Sequence, residues 1–214
     1  MFQHIFLIAC LAVSALASRS ANQYIENVIQ TSLPNEVRAL GLDPAPLVNF
    51  NVQFGPQTVY GSQGQANFTQ GNVTGLTRVQ RASECSGPTN FRGEITINCT
   101  LSLFPVTTGH KVWIRNGTNT FVSRSVGNVD KTLVHVVIAG YPQNYVGSVK
   151  SFTITRLGQV RPSFVNFPAP LNKYLKVLKD VYQSQVTSQL YNIVQQRFVY
   201  ALGRAIANKP MPRQ

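Results

Sequence analysis

The 214-residue chain carries 19 Lys and Arg residues against 7 Asp and Glu residues, a formal net charge of +12. With so few carboxylates and only three histidines, the composition argues against an enzyme that depends on acid–base catalysis. The length suits a single domain, and the strongly basic balance favours anionic partners.

The N-terminus predicts a secretory signal peptide at residues 1–17. Residues 5–16 are almost wholly apolar, and Ala15-Leu16-Ala17 is the small-x-small pattern that precedes signal-peptidase cleavage. The apolar run is shorter than the roughly twenty residues that span a bilayer. We therefore expect a secreted, extracellular protein whose residues 18–214 form one domain.

Cysteines and glycosylation sequons agree with secretion. Cys10 lies within the signal segment, so only Cys85 and Cys99 remain, an even pair suited to one disulfide. Four Asn-x-Thr sequons predict a glycoprotein: Asn67, Asn72, Asn98 and Asn116.

The first predicted element of the remaining chain is a helix at residues 21–40. Its apolar residues recur at helical spacing: Tyr24, Ile25, Val28, Ile29, Leu33, Val37 and Leu40. Pro34 should bend or split this helix, and Gly41 should end it before the Asp43-Pro44 stop. Residues 50–71, rich in Gly, Gln and Asn, predict a loop with a weak strand.

From Asn72 onward the periodicity becomes two, which predicts β-strands. Residues 93–104 alternate most clearly, with Ile95, Ile97, Cys99, Leu101 and Leu103 sharing one face. We expect a preceding strand at residues 73–85 and a turn at residues 86–90. A hairpin centred near Arg92 would set Cys85 opposite Cys99. Arg81 would then point inward, unless the strand ends early or bulges there.

Three further strand regions precede the last helix. Asn116-Gly117 is a strong hairpin signal between residues 111–115 and 118–123. Residues 132–139 place Val134, Val136 and Ile138 on one face. Residues 149–157 place Phe152 and Ile154 on one face.

The longest predicted element is a helix at residues 170–208. One face carries apolar residues every three to five positions: Leu171, Leu175, Leu178, Tyr182, Val186, Leu190, Ile193 and Phe198. The order of helix, antiparallel strands and long helix predicts an α+β domain.

This layout resembles the group 7 mite allergens and, more widely, the tubular lipid-binding superfamily of bactericidal/permeability-increasing and juvenile-hormone-binding proteins. The matching stretches are the Asn22-Gln23-Tyr24 helix start, Asp43-Pro44, Thr74-Gly75-Leu76 through Arg81, and residues 152–156 before the long helix. The resemblance implies a strongly curved antiparallel sheet wrapped around the C-terminal helix, with an apolar cleft between them. It also implies non-enzymatic binding of lipids or lipid-like molecules.

No catalytic, metal or cofactor site is expected from the sequence. His110 is predicted to lie in a loop, and His135 on the polar face of a strand; neither has a carboxylate or cysteine at metal-site spacing. No nucleophile elbow or phosphate-binding loop appears. Aromatic residues are not interleaved with the basic ones, which disfavours nucleic-acid binding.

We therefore expect a binding protein for a lipid or other amphipathic ligand held between sheet and helix. The residues predicted to line the cleft, which could equally be ordinary core, are Leu175, Leu178, Tyr182, Val186, Leu190, Ile193, Ile97, Leu101, Val134, Val136, Ile138, Phe152 and Ile154. Ile25, Val28 and Ile29 could close one end.

The alternative hypothesis is a basic defence-type protein that binds anionic membranes or bacterial envelopes through surface charge, with Lys173, Lys176 and Lys179 among the contacts. An extracellular structural or surfactant role is a third hypothesis.

Overall fold

The computed structural model describes residues 18–55, 64–141 and 146–212; the predicted signal peptide lies outside these ranges. Two helical regions flank the strands in the described residues, and all strand pairs are antiparallel. The predicted α+β class, with a shorter N-terminal and a longer C-terminal helix, is confirmed.

Helix α1 comprises residues 18–27, a π-helical segment Val28–Ser32 and an α-helical segment Leu33–Ala39. Pro34 lies at the start of the last segment, directly after the π-helical one, so its missing N–H falls where the hydrogen-bonding pattern of the helix changes. Gly41 follows with φ +61°, and the N–H of Leu42 donates to the carbonyl oxygen of Val37 at 2.9 Å. The backbone stays helical across Ser32 and Leu33, so the helix is not split at Pro34, whereas the predicted helix end at Gly41 is present.

Eleven strands lie in the described residues: β1 Ala45–Leu47, β2 Phe50–Phe54, β3 Gly64–Thr74, β4 Val79–Arg81, β5 Ser86–Phe91, β6 Glu94–Leu103, β7 Val106–Asn116, β8 Asn119–Val129, β9 Thr132–Gly140, β10 Gly147–Arg156 and β11 Val160–Val165. The first sheet has the order β1-β3-β7-β8-β11, with β2 also paired to β3. The second has the order β10-β9-β6-β4, with β5 also paired to β6. The strands are thus divided between two sheets.

Short connections carry the chain from one sheet to the other. Residues 75–78 join β3 to β4, Phe104-Pro105 join β6 to β7, Asp130-Lys131 join β8 to β9, and residues 157–159 join β10 to β11. At one of these corners the N–H of Gly158 donates to the hydroxyl of Thr132 at 2.9 Å. Since each connection is so short, the two sheets meet along a common seam.

The disulfide between Cys85 and Cys99 is present, as predicted. The hairpin that aligns it turns at Arg92-Gly93, both with positive φ. Residues 86–90, predicted as a turn, instead lie in β5, because their pairing with β6 supplies the ladder hydrogen bonds. Strand β4 ends at Arg81, whose guanidinium meets the Glu26 carboxylate of α1 at 2.9 Å, so the arginine is not left in the core.

Helix α2 begins with a 3₁₀ turn at Ala169–Tyr174 and continues as an α-helix over Leu175–Asn192. A π-helical segment Ile193–Phe198 and a final α-helical segment Val199–Ala207 complete it. The predicted apolar face is buried from Leu171 to Phe198, apart from Leu175, which is half-buried. No helix within the described ranges has the length and hydropathy required to cross a bilayer.

Helix α2 lies across both sheets. Its segment Leu175–Asn192 packs on β2 and β11 of the first sheet, whereas the segments after Ile193 pack on β10 of the second. The last segment also packs on α1, where the Tyr24 hydroxyl donates to the Ile206 carbonyl oxygen at 3.4 Å. The apolar side chains of all these elements form one continuous buried core.

Candidate functional site

The residues predicted to line a cleft fall into two groups in the structure. Leu178 and Tyr182, both fully buried, belong to the part of α2 that packs on the first sheet. The sheet residues of the prediction all belong to strands of the second sheet: Ile97, Leu101, Val134, Val136, Ile138, Phe152 and Ile154. They face the same continuous core as α1 and the C-terminal end of α2, where the Phe152 and Phe198 ring centroids are 6.4 Å apart.

Leu175 is half-buried, and the other helix residues of the predicted set are buried: Val186, Leu190 and Ile193. The residues that could close one end, Ile25, Val28 and Ile29, are buried on α1. In this structure the predicted lining residues therefore serve as packed core, and their role in ligand binding stays a prediction.

An aromatic cluster occupies the space between α2 and the first sheet. Tyr182 lies at its centre, with the ring centroids of Phe68 and His110 at 5.6 Å and 5.5 Å. Phe50 stacks on Phe68 at 4.4 Å, and Phe164 lies 6.4 Å from Tyr182. We call these five rings the aromatic chamber; it brings β2, β3, β7, β11 and α2 together.

His110 is a buried polar residue of the aromatic chamber. Its side chain is 2% exposed, and neither ring nitrogen has a hydrogen-bond partner among the described residues. Burial lowers the pKa of His110 from 6.5 to about 4, while the nearby Val48 backbone opposes this weakly without meeting hydrogen-bond geometry. The ring is therefore neutral at physiological pH and can donate from one nitrogen and accept at the other.

Two other polar groups line the aromatic chamber. The hydroxyls of Tyr182 and Thr108 are hydrogen-bonded at 3.0 Å, and Thr108 also donates to the Gly127 carbonyl oxygen at 3.3 Å. Burial raises the pKa of Tyr182, although the Thr108 and Ser125 hydroxyls offset part of that effect. The tyrosine is thus a neutral donor or acceptor in an otherwise apolar region.

Two glycines let these polar groups approach the backbone. A Cβ on Gly71 would lie 2.1 Å from Nε2 of His110, and a Cβ on Gly127 would lie 2.4 Å from the Thr108 hydroxyl oxygen. Any larger residue would have to displace the imidazole or the threonine. The absence of a side chain at these two positions is what makes room for His110 and Thr108.

The sequence prediction of a loop at His110 is wrong, since this residue lies within β7 and points inward. Thr107-Thr108-Gly109 resembles a turn locally, but β7 pairs with β3 and β8 along this whole stretch. A usable signal was the two-residue alternation of Val106, Thr108, His110, Val112 and Ile114. His135 lies half-buried on β9, on the face opposite the core residues Val134 and Val136, as predicted.

Surface hollows of the described residues are mainly polar. One of about 400 Å³ lies at the first sheet; its lining includes Lys111 and Arg124 of the outer face and the buried His110. A second, of about 340 Å³, lies at the corner formed by Arg38, Asp43 and Arg78. There the Asp43 carboxylate accepts from the backbone N–H groups of Gly75 and Thr77, both at 2.9 Å. Burial raises the pKa of this carboxyl, but the hydrogen bonds from Thr77 and Gly75 and the nearby Arg78 outweigh it and lower the pKa overall. This carboxylate therefore organises the corner loop.

Three of the four sequons lie on the first sheet. Asn67 and Asn72 are on β3, and Asn116 is the last residue of β7. Asn98 lies on β6 beside the disulfide, and its amide donates to the Ser86 hydroxyl at 3.1 Å. Glycosylation at these positions stays a prediction. Among the residues that the structure describes, no three His, Cys, Asp or Glu side chains are grouped to hold a metal ion.

Comparisons with known proteins reveal likeness at the level of structure. No protein-family model matches the chain, and no curated protein matches it by sequence. Takeout 1 of Epiphyas postvittana matches 86% of this chain and 91% of its own, with 15% identity and a TM-score of 0.40. The crystal structure of lipopolysaccharide binding protein matches 87% of this chain, with 12% identity and a TM-score of 0.45, and the match spans only 41% of that protein.

These two neighbours represent the juvenile-hormone-binding-like and the bactericidal/permeability-increasing-like groups that the sequence resembles. At these identities and TM-scores the two matches carry no information on a ligand of this chain.

Proposed function

We propose that this chain is a secreted, non-enzymatic binding protein for a lipid or another amphipathic molecule, taken up between helix α2 and the first sheet. The observation that carries the proposal is the inward-facing His110, 2% exposed and unpartnered among the described residues, in a cluster of aromatic rings. A buried polar group without a hydrogen bond costs about 1–3 kcal/mol. A ligand with one polar group could make the missing bond.

The chemistry of the aromatic chamber defines the ligand class. Phe50, Phe68 and Phe164 offer apolar ring surface, whereas His110 and Tyr182 offer hydrogen bonds from neutral groups. A mostly apolar molecule with a hydroxyl, carbonyl or ester group fits this combination. Its affinity would come mainly from apolar area removed from water, at about 25 cal/mol per Å².

The five rings of the aromatic chamber pack against one another in this structure, so uptake of a ligand requires α2 and the first sheet to separate locally. At the exposed edge of this contact, Gln189 of α2 makes two hydrogen bonds to the backbone of Val48. Its amide oxygen accepts from the Val48 N–H at 2.6 Å, and its amide nitrogen donates to the Val48 carbonyl oxygen at 3.2 Å. Val48 is 71% exposed, so water can replace these two bonds at little cost.

Native mass spectrometry of the deglycosylated protein from a eukaryotic secretion host, followed by lipid extraction, tests the proposal. We expect a co-purifying lipid of defined mass, or saturable uptake of an apolar fluorescent probe by the apoprotein. A clean apoprotein that takes up no probe contradicts it. His110→Leu should weaken binding of the extracted lipid, whereas the matched variant His135→Leu, on the other sheet, should leave it unchanged.

A second candidate function is adsorption to anionic surfaces, favoured by the distribution of charge. Five of the seven Asp and Glu side chains form ion pairs in the structure, which leaves most of the basic residues within the described ranges without one. Of the helix lysines, Lys176 pairs with Asp180 at 2.7 Å and Lys173 lies over the Tyr174 ring. Charge reversal at Lys173 and Lys179 should reduce sedimentation with anionic vesicles; unchanged binding would contradict this candidate.

A further inference from the structure

Two basic residues face each other on the outer surface of the first sheet. Lys111 of β7 and Arg124 of β8 are directly opposite in the strand register. Like charges at such positions destabilise a sheet. No Asp or Glu of the described residues compensates them, because none lies within 4 Å and all seven of these side chains bond to other groups. The chain therefore keeps a repulsive pair that packing alone does not explain.

The pair borders the hollow of about 400 Å³, which we call the outer pocket. Gly109, which pairs with Val126 across the strands, lies in its lining and leaves room where a side chain would stand. The neutral amides of Gln70, Asn72 and Asn166 lie at the rim, and the rest of the lining is formed by His110, Val122 and Ser123. β3 bulges between Thr69 and Asn72, beside this rim, and bulges are frequent next to binding sites.

Exposed apolar side chains continue the outer pocket on one side. Trp113 is 40% exposed and pairs with Val122, which is 48% exposed. Val165, 49% exposed, lies opposite Arg124 on the next strand. The Lys111 ammonium lies 4.5 Å from the centroid of the Trp113 ring. Cations and an apolar surface are thus adjacent on one sheet face.

We propose that the outer pocket binds a phosphate group, with Lys111 and Arg124 contacting its oxygens and the amide rim donating further hydrogen bonds. A phosphate placed between the two cations would turn their repulsion into two charge-assisted contacts. The same chemistry could come from free phosphate or from a phospholipid whose hydrocarbon lies on Trp113 and Val122. Lys111 and Arg124 lie on the outer face of the sheet, whereas His110 contributes to the lining of both the outer pocket and the aromatic chamber. Phosphate binding by the two cations does not require a ligand in the aromatic chamber.

Trp113 is the only tryptophan of the chain, so its fluorescence reports on the outer pocket. Titration with inorganic phosphate should change the emission saturably, whereas sodium chloride at equal ionic strength should not. Dihexanoylphosphatidylglycerol below its micelle concentration tests the lipid source. If this lipid half-saturates the response at a lower concentration than phosphate does, the site is assigned to phospholipid. If the two concentrations are equal, the site is assigned to free phosphate. Either result supports the outer pocket. No saturable response to either overturns the proposal.

Variants distinguish phosphate binding at the outer pocket from a non-specific effect of the protein's positive charge. Lys111→Gln and Arg124→Gln should each weaken phosphate binding, measured by calorimetry, about tenfold or more. Lys131→Gln, the same charge change in the turn after β8, is the matched control and should bind as the wild type. Arg124→Gln should melt at or above the wild-type temperature, since it removes like-charge repulsion without loss of the Lys111 contact with Trp113. Wild-type affinity in both pocket variants would overturn the proposal.

Two further measurements test the site without changing its charge. Gly109→Val should abolish binding by filling the lining, and the nearest atoms to its Cβ, at 3.6 Å and 3.7 Å, leave space for it. The proposal also reverses the expectation from the Asn72 sequon: the outer pocket requires an unmodified Asn72, because a glycan there would occupy the rim. Glycopeptide mass spectrometry should find Asn72 unmodified in the mature protein; full occupancy would overturn the proposal.

Discussion

Acidification should destabilise this protein through His110. Burial lowers the pKa of this residue to about 4 in the folded state, against 6.5 for the exposed side chain. The unfolded chain therefore binds a proton that the folded chain excludes, so stability is lost as the pH falls below about 6.5. Each pH unit in this window costs about 1.4 kcal/mol. At a pH of about 4.5 the free energy of unfolding should be lower by about 2–3 kcal/mol.

Urea denaturation at a series of pH values between about 7 and 4.5 measures this loss. We expect His110→Leu to lose most of the pH dependence, since a neutral side chain of similar volume replaces the imidazole. His135→Leu, which changes the half-buried histidine of β9, should keep the wild-type slope. If His110→Leu kept the wild-type slope instead, the burial argument for His110 would be refuted.

Three further predictions concern packing and cross-links. Replacing Cys85 and Cys99 by Ser should lower the free energy of unfolding by about 3 kcal/mol, because the disulfide closes a loop with a sequence separation of 14; equal urea midpoints would contradict this. Gly71→Ala should cost about 1–3 kcal/mol, since its Cβ would overlap the enclosed His110 ring; thermal melting checks it. The Arg81–Glu26 pair is partly exposed, so a double-mutant cycle should return less than about 1 kcal/mol of coupling.

Local periodicity predicted the parts of the fold whose pattern repeats without interruption. The alternation from Ile95 to Leu103 predicted β6 and placed Cys99 on its buried face, and the disulfide follows from that register. The spacing from Leu171 to Phe198 predicted α2 and its buried face. Both patterns arise from neighbours two to four residues apart, which a sequence displays directly.

The errors occurred where a local turn signal opposed a pairing between distant segments. Residues 86–90 and the stretch before His110 contain Gly, Pro and Thr, yet both lie in strands. Their hydrogen bonds are made with β6 in one case and with β3 and β8 in the other. Backbone groups in a sheet need such partners, and the identity of a partner is not visible in a short window.

The sequence by itself determined the α+β class, the two terminal helices, the disulfide and the apolar face of α2, but not β2 and β3, which lie largely in the predicted loop at residues 50–71. Only the tertiary structure decided that the strands form two sheets, that Tyr182 meets Phe68 and His110, and that Lys111 opposes Arg124. The physical reason is that hydrophobic periodicity records which side of an element is buried. Which side chains meet across the core or across a sheet depends on strand register and helix placement, set jointly by contacts throughout the chain.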